Sequence, residues 1–439
     1  MNKIFRINKK ISSFKKIISV EGDKSLSIRW VLISSLSKKK STAFNLLESE
    51  DVMSAIRCIK KLGSKVKFSK DKCEIVGNGL NFNNEKKLVL DAGNSGTLGR
   101  LILGILINSK NKIKLIGDKS LSKRDFSRVT VPLKKFGANF NGSKNLPLEM
   151  RGVNNPRPIN YLEKKGSAQC KTTVMFAALK SKGVTTIKAK KSRDHTELMF
   201  KHLNIPIKVK KTDKKFDQIE VCGVKKISPL NYRIPGDISS CAFFIVLTLL
   251  SKNSQLLIRN ININPTRVGI IKILKMMGGS IKFLNKRSYK GEKISDIFIK
   301  SSKNLKAINC PTKYNSSAID EFLVIFLVAA RSKGISQFRE LSELNQKESP
   351  RLKWASKILN LMGIKNIMTK SSIKIFGNPN LNLEKKITIK NFSKDHRIFM
   401  MSVIAALTFG GKWRISDLDS IKTSFPKFLK ILKKIEHKT

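Results

Sequence analysis

The sequence predicts an α/β protein of two domains, each built from three similar helix-and-strand units. Three observations carry that prediction. The chain has 439 residues, more than one ordinary hydrophobic core accommodates. Six segments open on small polar or charged residues and become long apolar runs, their starts roughly 70 to 80 residues apart. A second series of amphipathic helical patterns is interleaved with the first.

The first series reads GDKSLSIRWVLISSLS (22–37), GNSGTLGRLILGIL (93–106), GSAQCKTTVMFAAL (166–179), GDISSCAFFIVLTLL (236–250), SSAIDEFLVIFLVAA (316–330) and KDHRIFMMSVIAAL (394–407). Each is expected to be a helix with a polar N-terminus and a buried body. Ser, Asp, Asn and Gly at a helix start cap or expose the unpaired backbone N–H groups, and the positive end of the helix dipole favours anions there. One such start is ordinary capping. Six, several with Lys or Arg in the first turn, suggest a surface that collects negative charge.

The second series reads IKKLGSKVKF, LKKFGANF, FKHLNIPIKV, LKMMGGSIKF, LNLMGIKNI and the terminal FLKILKKI. The first five are expected to be helices stopped by Gly, or by Asn204, in a left-handed cap and followed by a strand. Six α/β units of this kind group as two domains of three.

Composition narrows the function. With 88 Lys+Arg against 31 Asp+Glu, the net charge is +57. A nucleic-acid binder has such a balance in bulk. However, the lysines run along the whole chain without forming one stripe, aromatics are sparse, and no nucleic-acid module is visible, so no specific nucleic-acid partner is expected. No run of eighteen uncharged apolar residues is present, so no membrane span is expected. Six cysteines without CxxC spacing read as reduced thiols, and four histidines lack an HExxH arrangement; neither a metal nor a cofactor is expected. The basic first twenty residues resemble a transit peptide in charge, but FKKIISV alternates as a strand does, and a cytoplasmic protein is expected.

The hexapeptide GDKSLS occurs twice, at Gly22–Ser27 and Gly117–Ser122, each copy followed by an arginine, Arg29 and Arg124. Lys24, Ser25 and Arg29 can bring ammonium, hydroxyl and guanidinium to one phosphate. GNSGT at Gly93–Thr97 offers backbone amides at close approach, though without a P-loop lysine. Ser192 and Arg193 of SRDH add another hydroxyl and guanidinium. In the other half, Asp320 of AIDE and Glu348 of QKESPR place carboxylates among cations. Lys347, Glu348 and Arg351 are expected to span one helical turn, where the cations would hold Glu348 ionised.

Taken together, these motifs resemble the 5-enolpyruvylshikimate-3-phosphate (EPSP) synthase family. In the family's order the chain carries GDKSLSIR, GNSGTLGR, GDKSLSKR with RVTVPLKKFGA, GSAQCK, SRDHTE, PGDISS, NPTRVGI, IDE, KESPR, DHR and SFP, from Gly22 to Pro426. The resemblance implies two inverse α/β domains, each of three βαβαββ repeats, with the active site in the interdomain cleft. Residues 1–20 and 236–439 would form one discontinuous domain, and 21–235 the inserted one. The implied reaction transfers the enolpyruvyl group of phosphoenolpyruvate to the 5-hydroxyl of shikimate 3-phosphate and releases phosphate. Both substrates are polyanions, so several cations are needed to offset their repulsion, and the proton transfers need an acid and a base.

By the same resemblance, Lys24, Ser25, Arg29, Ser167, Ala168, Gln169, Ser192, Arg193, Asp320 and Lys347 would bind shikimate 3-phosphate. Lys24, Asn94, Gly96, Arg124, Gln169, Arg351 and Arg397 would bind phosphoenolpyruvate. Asp320, Glu348 and Lys24 would be catalytic, Asp320 taking the 5-hydroxyl proton and Glu348 exchanging a proton with the methylene carbon. A monomer is the family default. The chain departs from the family pattern at Ile28, Asp125, Asn345, Pro350, Leu323 and Thr423 (the last beside Lys422). Pro350 also restricts Ser349 away from helix. The sister enzyme acting on UDP-N-acetylglucosamine shares fold and donor but normally uses a cysteine near the second hexapeptide. No cysteine lies between Cys73 and Cys170.

Overall fold

Each of the six apolar runs forms a helix, and in five of them the residue just before the first turn caps it. The structure is a computed structural model and describes residues 3–69, 71–81, 87–142, 144–213 and 215–436. The helices are Lys24–Ser35, Gly96–Ile105, Ala168–Ala178, Ile238–Leu250, Phe322–Arg331 and His396–Phe409. Side chains of Asp23, Ser95, Ser167, Asp237 and Asp395 accept a backbone N–H two or three residues on. Each satisfies a donor that the helix leaves unpaired. The segment from 316 corrects the expectation. A short helix Asn315–Ala318 ends first, and the apolar helix begins only at Phe322, after Glu321, which makes no side-chain cap. Asp320 therefore stands in a turn between two helices.

Five members of the second series are helices ended by a left-handed residue and followed by a strand. Helix Glu50–Lys61 stops at Gly63 (φ 92°), Ser127–Lys135 at Gly137 (φ 109°), and His195–His202 at Asn204 (φ 54°). Helix Gly269–Met276 stops at Gly278 (φ 86°) and Arg351–Leu361 at Gly363 (φ 82°). The terminal member is the helix Phe428–Glu436.

The chain divides into two units. A terminal unit contains the residues up to Glu21, Pro235–Ser288 and the chain from Lys293; an inserted unit contains Gly22–Ile234 together with Tyr289–Glu292. In the inserted unit the repeat is a strand, a helix, a strand, a helix and two strands. One copy runs through the strand Leu88–Asp91, helix Gly96–Ile105, strand Lys112–Ile116, helix Ser127–Lys135, and strands Asn139–Asn141 and Leu148–Arg151. Its first strand lies parallel to the second, which pairs antiparallel with the last, and the third lies outside that. The sheet Asn160–Glu163, Val184–Lys190, Phe216–Cys222, Ile207–Lys211 has the same order and the same directions. So does Tyr232–Arg233, Ser41–Phe44, Lys72–Val76, Lys65–Ser69. A parallel neighbour needs a crossover, and in the first two of these sheets the capped helix, Gly96–Ile105 or Ala168–Ala178, supplies it.

The terminal unit also holds three sheets. In one, Lys15–Ser19 is the parallel edge of Gln255–Asn262, followed by Glu292–Lys300 and Ser280–Tyr289. In the next, the strands Ile335–Phe338, Ile373–Phe376 and Asn366–Met368 are joined at the edge by single parallel bridges from Lys306 and Asn309. The last is completed by the start of the chain. Leu383–Ile389 pairs parallel with Gly410–Ile415, and Phe5–Ile7 takes the antiparallel place.

The central helices are buried nearly all round. Every residue from Leu26 to Ser35 is buried, as are Ile238–Leu249 and Phe322–Ala330. Helices apolar on every face belong to a core, and each buried Leu, Ile or Phe contributes about 1.5–3 kcal/mol. Gly104 lets two of them touch, since a Cβ there would stand 2.2 Å from the Thr173 carbonyl oxygen. The six cysteines are unpaired, and burial pushes the Cys58 and Cys73 thiols up to about 12. Among the described residues no helix is long and apolar enough to cross a membrane.

Candidate active site

The two hexapeptides build the same turn with different continuations. Asp23 Oδ1 accepts the Leu26 N–H at 2.9 Å, and Asp118 Oδ1 accepts the Leu121 N–H at 2.7 Å. After the first, IRWVLIS is apolar enough to be buried, and the helix continues to Ser35. After the second, KRDFS is polar. The turn is a single 3-10 segment, Leu121–Lys123, and Arg124 is already extended. Lys24 opens the first helix and pairs with Asp51 at 3.0 Å.

Arg29 is 2 % exposed. Its Nε donates to Thr196 Oγ1 (2.8 Å), its Nη2 to Thr172 Oγ1 (3.4 Å) and its Nη1 to the Ser25 carbonyl (3.0 Å), while the two threonine hydroxyls bond each other at 2.8 Å. The guanidinium thus ties the helices starting at Lys24, Ala168 and His195. Beside it the buried Lys171 ammonium meets Glu197 at 2.5 Å. Ser192 precedes this knot; its Oγ is buried and has no hydrogen-bond partner among the described residues. Arg193 adjoins it.

A second group forms around Gly96. A Cβ on this residue would lie 2.9 Å from Arg100 Nη1 and 3.0 Å from Arg124 Nη1, so two guanidinium groups converge on a backbone that only glycine leaves open. Arg100 Nη1 donates to Gln169 Oε1 (2.8 Å), and Gln169 Nε2 donates to Thr97 Oγ1 (2.9 Å). Burial lowers the Arg100 pKa to about 10, and the Arg124 charge adds to this; the group stays cationic at neutral pH. Asn94 donates to Asp118 at 2.6 Å, joining the glycine-rich loop to the second hexapeptide. Ser167 Oγ caps Cys170 while its own N–H is accepted by Glu163, which leaves Ala168 as the first residue of the helix. Arg100, Thr172 and Thr196 are not among the expected site residues. Arg100 stands in GNSGTLGR and Thr196 in SRDHTE, whereas Thr172, inside an apolar run, carries no local signal.

In the terminal unit all five expected residues come together. Lys347 Nζ lies 3.3 Å and Arg351 Nη1 3.6 Å from Asp320 Oδ1, Arg351 Nη2 lies 2.5 Å from Glu348 Oε2, and Arg397 Nη1 donates to the Asp320 carbonyl at 2.7 Å. They do not lie on one helical turn. Ser342–Gln346 is a 3-10 segment, Lys347 is extended (ψ −157°), and the helix starts at Arg351 after Pro350. The proline ring disfavours helix at Ser349, so the chain bends and turns both Lys347 and Glu348 towards Arg351 and Asp320. The centre of the group is Asp395, the aspartate of the DHR motif, to which the resemblance assigns no role. It is fully buried, caps the helix His396–Phe409 through the Arg397 N–H (2.9 Å), and accepts from Arg351 Nε (2.9 Å) and Ser349 Oγ (2.8 Å). Burial would raise the Asp395 pKa, but the Arg351 charge outweighs it and holds the carboxyl below its ordinary value. Burial would likewise depress Arg351, and Asp395 with Glu348 more than reverses this. A further buried network, in which Arg267 donates to Asp237 (3.2 Å) and Ser239 (2.8 Å) and Ser239 donates to Glu321, braces the turn that carries Asp320.

Comparison with known proteins fits this arrangement. The family model for EPSP synthase (3-phosphoshikimate 1-carboxyvinyltransferase) matches residues 8–432. The chain belongs to the EPSP synthase family. The 3-phosphoshikimate 1-carboxyvinyltransferases of Ruthia magnifica and Caldicellulosiruptor bescii are each 38% identical over 433 residues; the match covers 97% of this chain in both cases, and 97% and 98% of those proteins. A solved EPSP synthase from Acinetobacter baumannii superposes with a TM-score of 0.86 at 31% identity, covering 99% of this chain and 98% of that one. The enolpyruvyl transferase NikO from Streptomyces tendae shares the fold alone, with a TM-score of 0.77 at 12% identity and coverage of 99% and 98%.

Within this EPSP synthase family member, the departures have local roles. Asp125 is exposed and its Oδ1 accepts the Ser127 N–H at 2.7 Å, closing the turn that leads into the next helix. Asn345 Oδ1 accepts the Leu352 N–H at 3.2 Å in the same manner. Ile28 and Leu323 are core residues. Thr423 bonds His396 Nδ1 at 3.2 Å, and the neighbouring Lys422 is paired with Asp419 at the surface.

Proposed function

We propose that this chain, as an EPSP synthase family member, transfers the enolpyruvyl group from phosphoenolpyruvate to the 5-hydroxyl of shikimate 3-phosphate in aromatic amino acid biosynthesis, with the following division of labour. Lys24, Ser25, Arg29, Ser167, Ala168, Gln169, Ser192 and Arg193 take shikimate 3-phosphate. Asn94, Gly96, Arg124 and Gln169 take the phosphate of phosphoenolpyruvate, and Arg351, Arg397 and Lys24 its carboxylate. Asp320 and Lys347 hold the shikimate hydroxyls. The Asp320 carboxylate accepts the 5-hydroxyl proton as the oxygen bonds to C2 of phosphoenolpyruvate, and the Glu348 carboxyl gives a proton to C3. The adduct then loses a proton from C3 back to Glu348 as the C2–O bond to phosphate breaks, and the proton held by Asp320 passes to the departing phosphate, which restores both carboxyl groups. Protons and charge balance across the two steps, and acid–base help of this sort contributes about 10²–10⁴-fold.

The observation that carries this proposal is the terminal-unit cluster. Two carboxylates, Asp320 and Glu348, share Arg351 as a neighbour at 3.6 and 2.5 Å, which gives one reaction an acceptor and a donor side by side. The opposite charges that surround them suit polyanionic substrates. Steady-state phosphate release tests the proposal. It requires both substrates together, and the same rate with either one alone contradicts it. A monomer in the cytoplasm is the form we propose; a single species of 49.4 kDa in light scattering checks the first part.

A further inference from the structure

The SRDHTE segment contains a buried histidine that the proposed reaction does not use. His195 opens the helix His195–His202 and is 0 % exposed. Its Nδ1 lies 2.6 Å from Glu292 Oε1, and Glu292 is equally buried. Glu292 arrives from far along the chain, at the end of a two-residue hairpin turn between the strands Ser280–Tyr289 and Glu292–Lys300. Both turn residues are left-handed, Lys290 at φ 49° and Gly291 at φ 88°. This is the conformation a tight hairpin requires, and a lysine adopts it only when the surroundings impose it. Those surroundings belong to the inserted unit. Tyr289 packs on Tyr232 with ring centroids 5.4 Å apart, Tyr289 Oη accepts the Arg233 N–H at 3.0 Å, Lys290 Nζ donates to the Asn231 carbonyl, and a Cβ on Gly291 would meet Leu198 at 3.2 Å.

We infer that Glu292 is a positioning residue for shikimate 3-phosphate, acting through His195 on the Ser192–Arg193 segment; this rests on the phosphate role proposed above for those two residues. A buried carboxylate on an imidazole fixes the ring's orientation and tautomer. His195 is the first helical residue, so fixing its ring fixes the backbone immediately after Ser192 and Arg193. Ser192 Oγ is already directed into buried space with no partner among the described residues, as a preformed ligand group requires. Arg29 reaches the neighbouring Thr196, so two long-range contacts hold one helix start, and Glu292 holds the one nearer SRDH.

The test compares KM for each substrate and kcat in the full-length chain and in Glu292→Gln, Glu292→Asp and His195→Gln. Glu292→Gln keeps the shape and removes the charge, and a charge-assisted hydrogen bond of this type corresponds to about a tenfold change in binding. KM for shikimate 3-phosphate should therefore rise about tenfold, with KM for phosphoenolpyruvate and kcat within about twofold of the parent. Glu292→Asp should recover part of the loss, and Glu292→Gln added to His195→Gln should bring no further loss. Equal rises in both KM values, or a lowered Tm with both KM values unchanged, overturns the inference and leaves Glu292 a structural residue. Should Glu292→Gln prove poorly folded, calorimetric titration of folded Glu292→Asp with shikimate 3-phosphate decides, and an unchanged Kd counts against the inference. A parent chain that releases no phosphate with both substrates fails the proposed function itself, a separate outcome.

Discussion

Replacing Asp395 with Asn removes one negative charge from the centre of the terminal-unit cluster and leaves almost everything else in place. Asn caps helices about as well as Asp, so the hydrogen bond to the Arg397 N–H survives with a change of a few tenths of a kcal/mol. The Arg351 guanidinium, 1 % exposed, loses the carboxylate on its Nε at 2.9 Å. Breaking a buried pair costs about 3–5 kcal/mol. Glu348 and Asp320 remain on Arg351, which puts the loss at the lower end, about 3 kcal/mol. At roughly 2–4 °C per kcal/mol for a unit of this size, the corresponding transition falls by roughly 6–12 °C. The pH dependence has a definite sign. The folded-state pKa of Asp395 lies below its unfolded value, so its contribution is complete above the unfolded pKa near 4 and disappears as pH falls through the lower folded value. Calorimetric melts of parent and variant should differ by the same amount from pH 5 to 8 and converge only in more acid solution. A variant as stable as the parent at pH 7, or a gap that persists unchanged at pH 3, refutes the assignment. Because Asp395 also aims Arg351, KM for phosphoenolpyruvate should rise in the same variant.

Asp320→Asn and Glu348→Gln should each lower kcat by about 10²–10⁴-fold while calorimetric binding of shikimate 3-phosphate stays within a few-fold of the parent. Arg124→Ala should raise KM for phosphoenolpyruvate by about 10–100-fold, the range of one charge-assisted hydrogen bond, whereas Lys119→Ala in the hexapeptide just before it should leave both KM values unchanged. Gly96→Ala puts a methyl group 2.9 Å from Arg100 Nη1 and 3.0 Å from Arg124 Nη1. The contacts are with the ends of flexible side chains, so the fold should hold in circular dichroism. Displacing Arg124 by a fraction of an ångström should raise KM for phosphoenolpyruvate and leave the affinity for shikimate 3-phosphate unchanged.

Much of the architecture is legible in the sequence because it is written locally and repeated. A polar capping residue before an apolar run, or a glycine after an amphipathic one, has meaning within ten residues, and Asp23, Ser95, Gly63 and Gly137 are readable for that reason. The turn at Ile319–Glu321 is not legible, because SSAIDEF has no Gly or Pro to announce it; Glu321 is held there by Ser239 from a distant segment, and Arg267 in turn holds Ser239. The expected helical turn at Lys347–Arg351 fails because Pro350 restricts Ser349 away from helix, and Lys347 is extended, outside the helix. Pairings across the chain stay hidden altogether. Nothing local ties Phe5–Ile7 to Gly410–Ile415, or Glu292 to His195. Of the site, the charged residues are visible as motifs. Of the groups that orient them, Asp395 and Thr196 stand inside the DHR and SRDHTE motifs but show their partners only in the fold, and Thr172 and Glu292 are visible only as contacts.

The central claim is that this chain joins an enolpyruvyl group to shikimate 3-phosphate, and phosphorus NMR of a reaction mixture tests it directly. With enzyme and both substrates, the phosphoenolpyruvate signal should give way to inorganic phosphate while an equal amount of a new sugar-type phosphate ester, the enolpyruvyl product, replaces shikimate 3-phosphate. Phosphoenolpyruvate consumed with shikimate 3-phosphate unchanged, or no consumption by a correctly folded chain, would contradict the account.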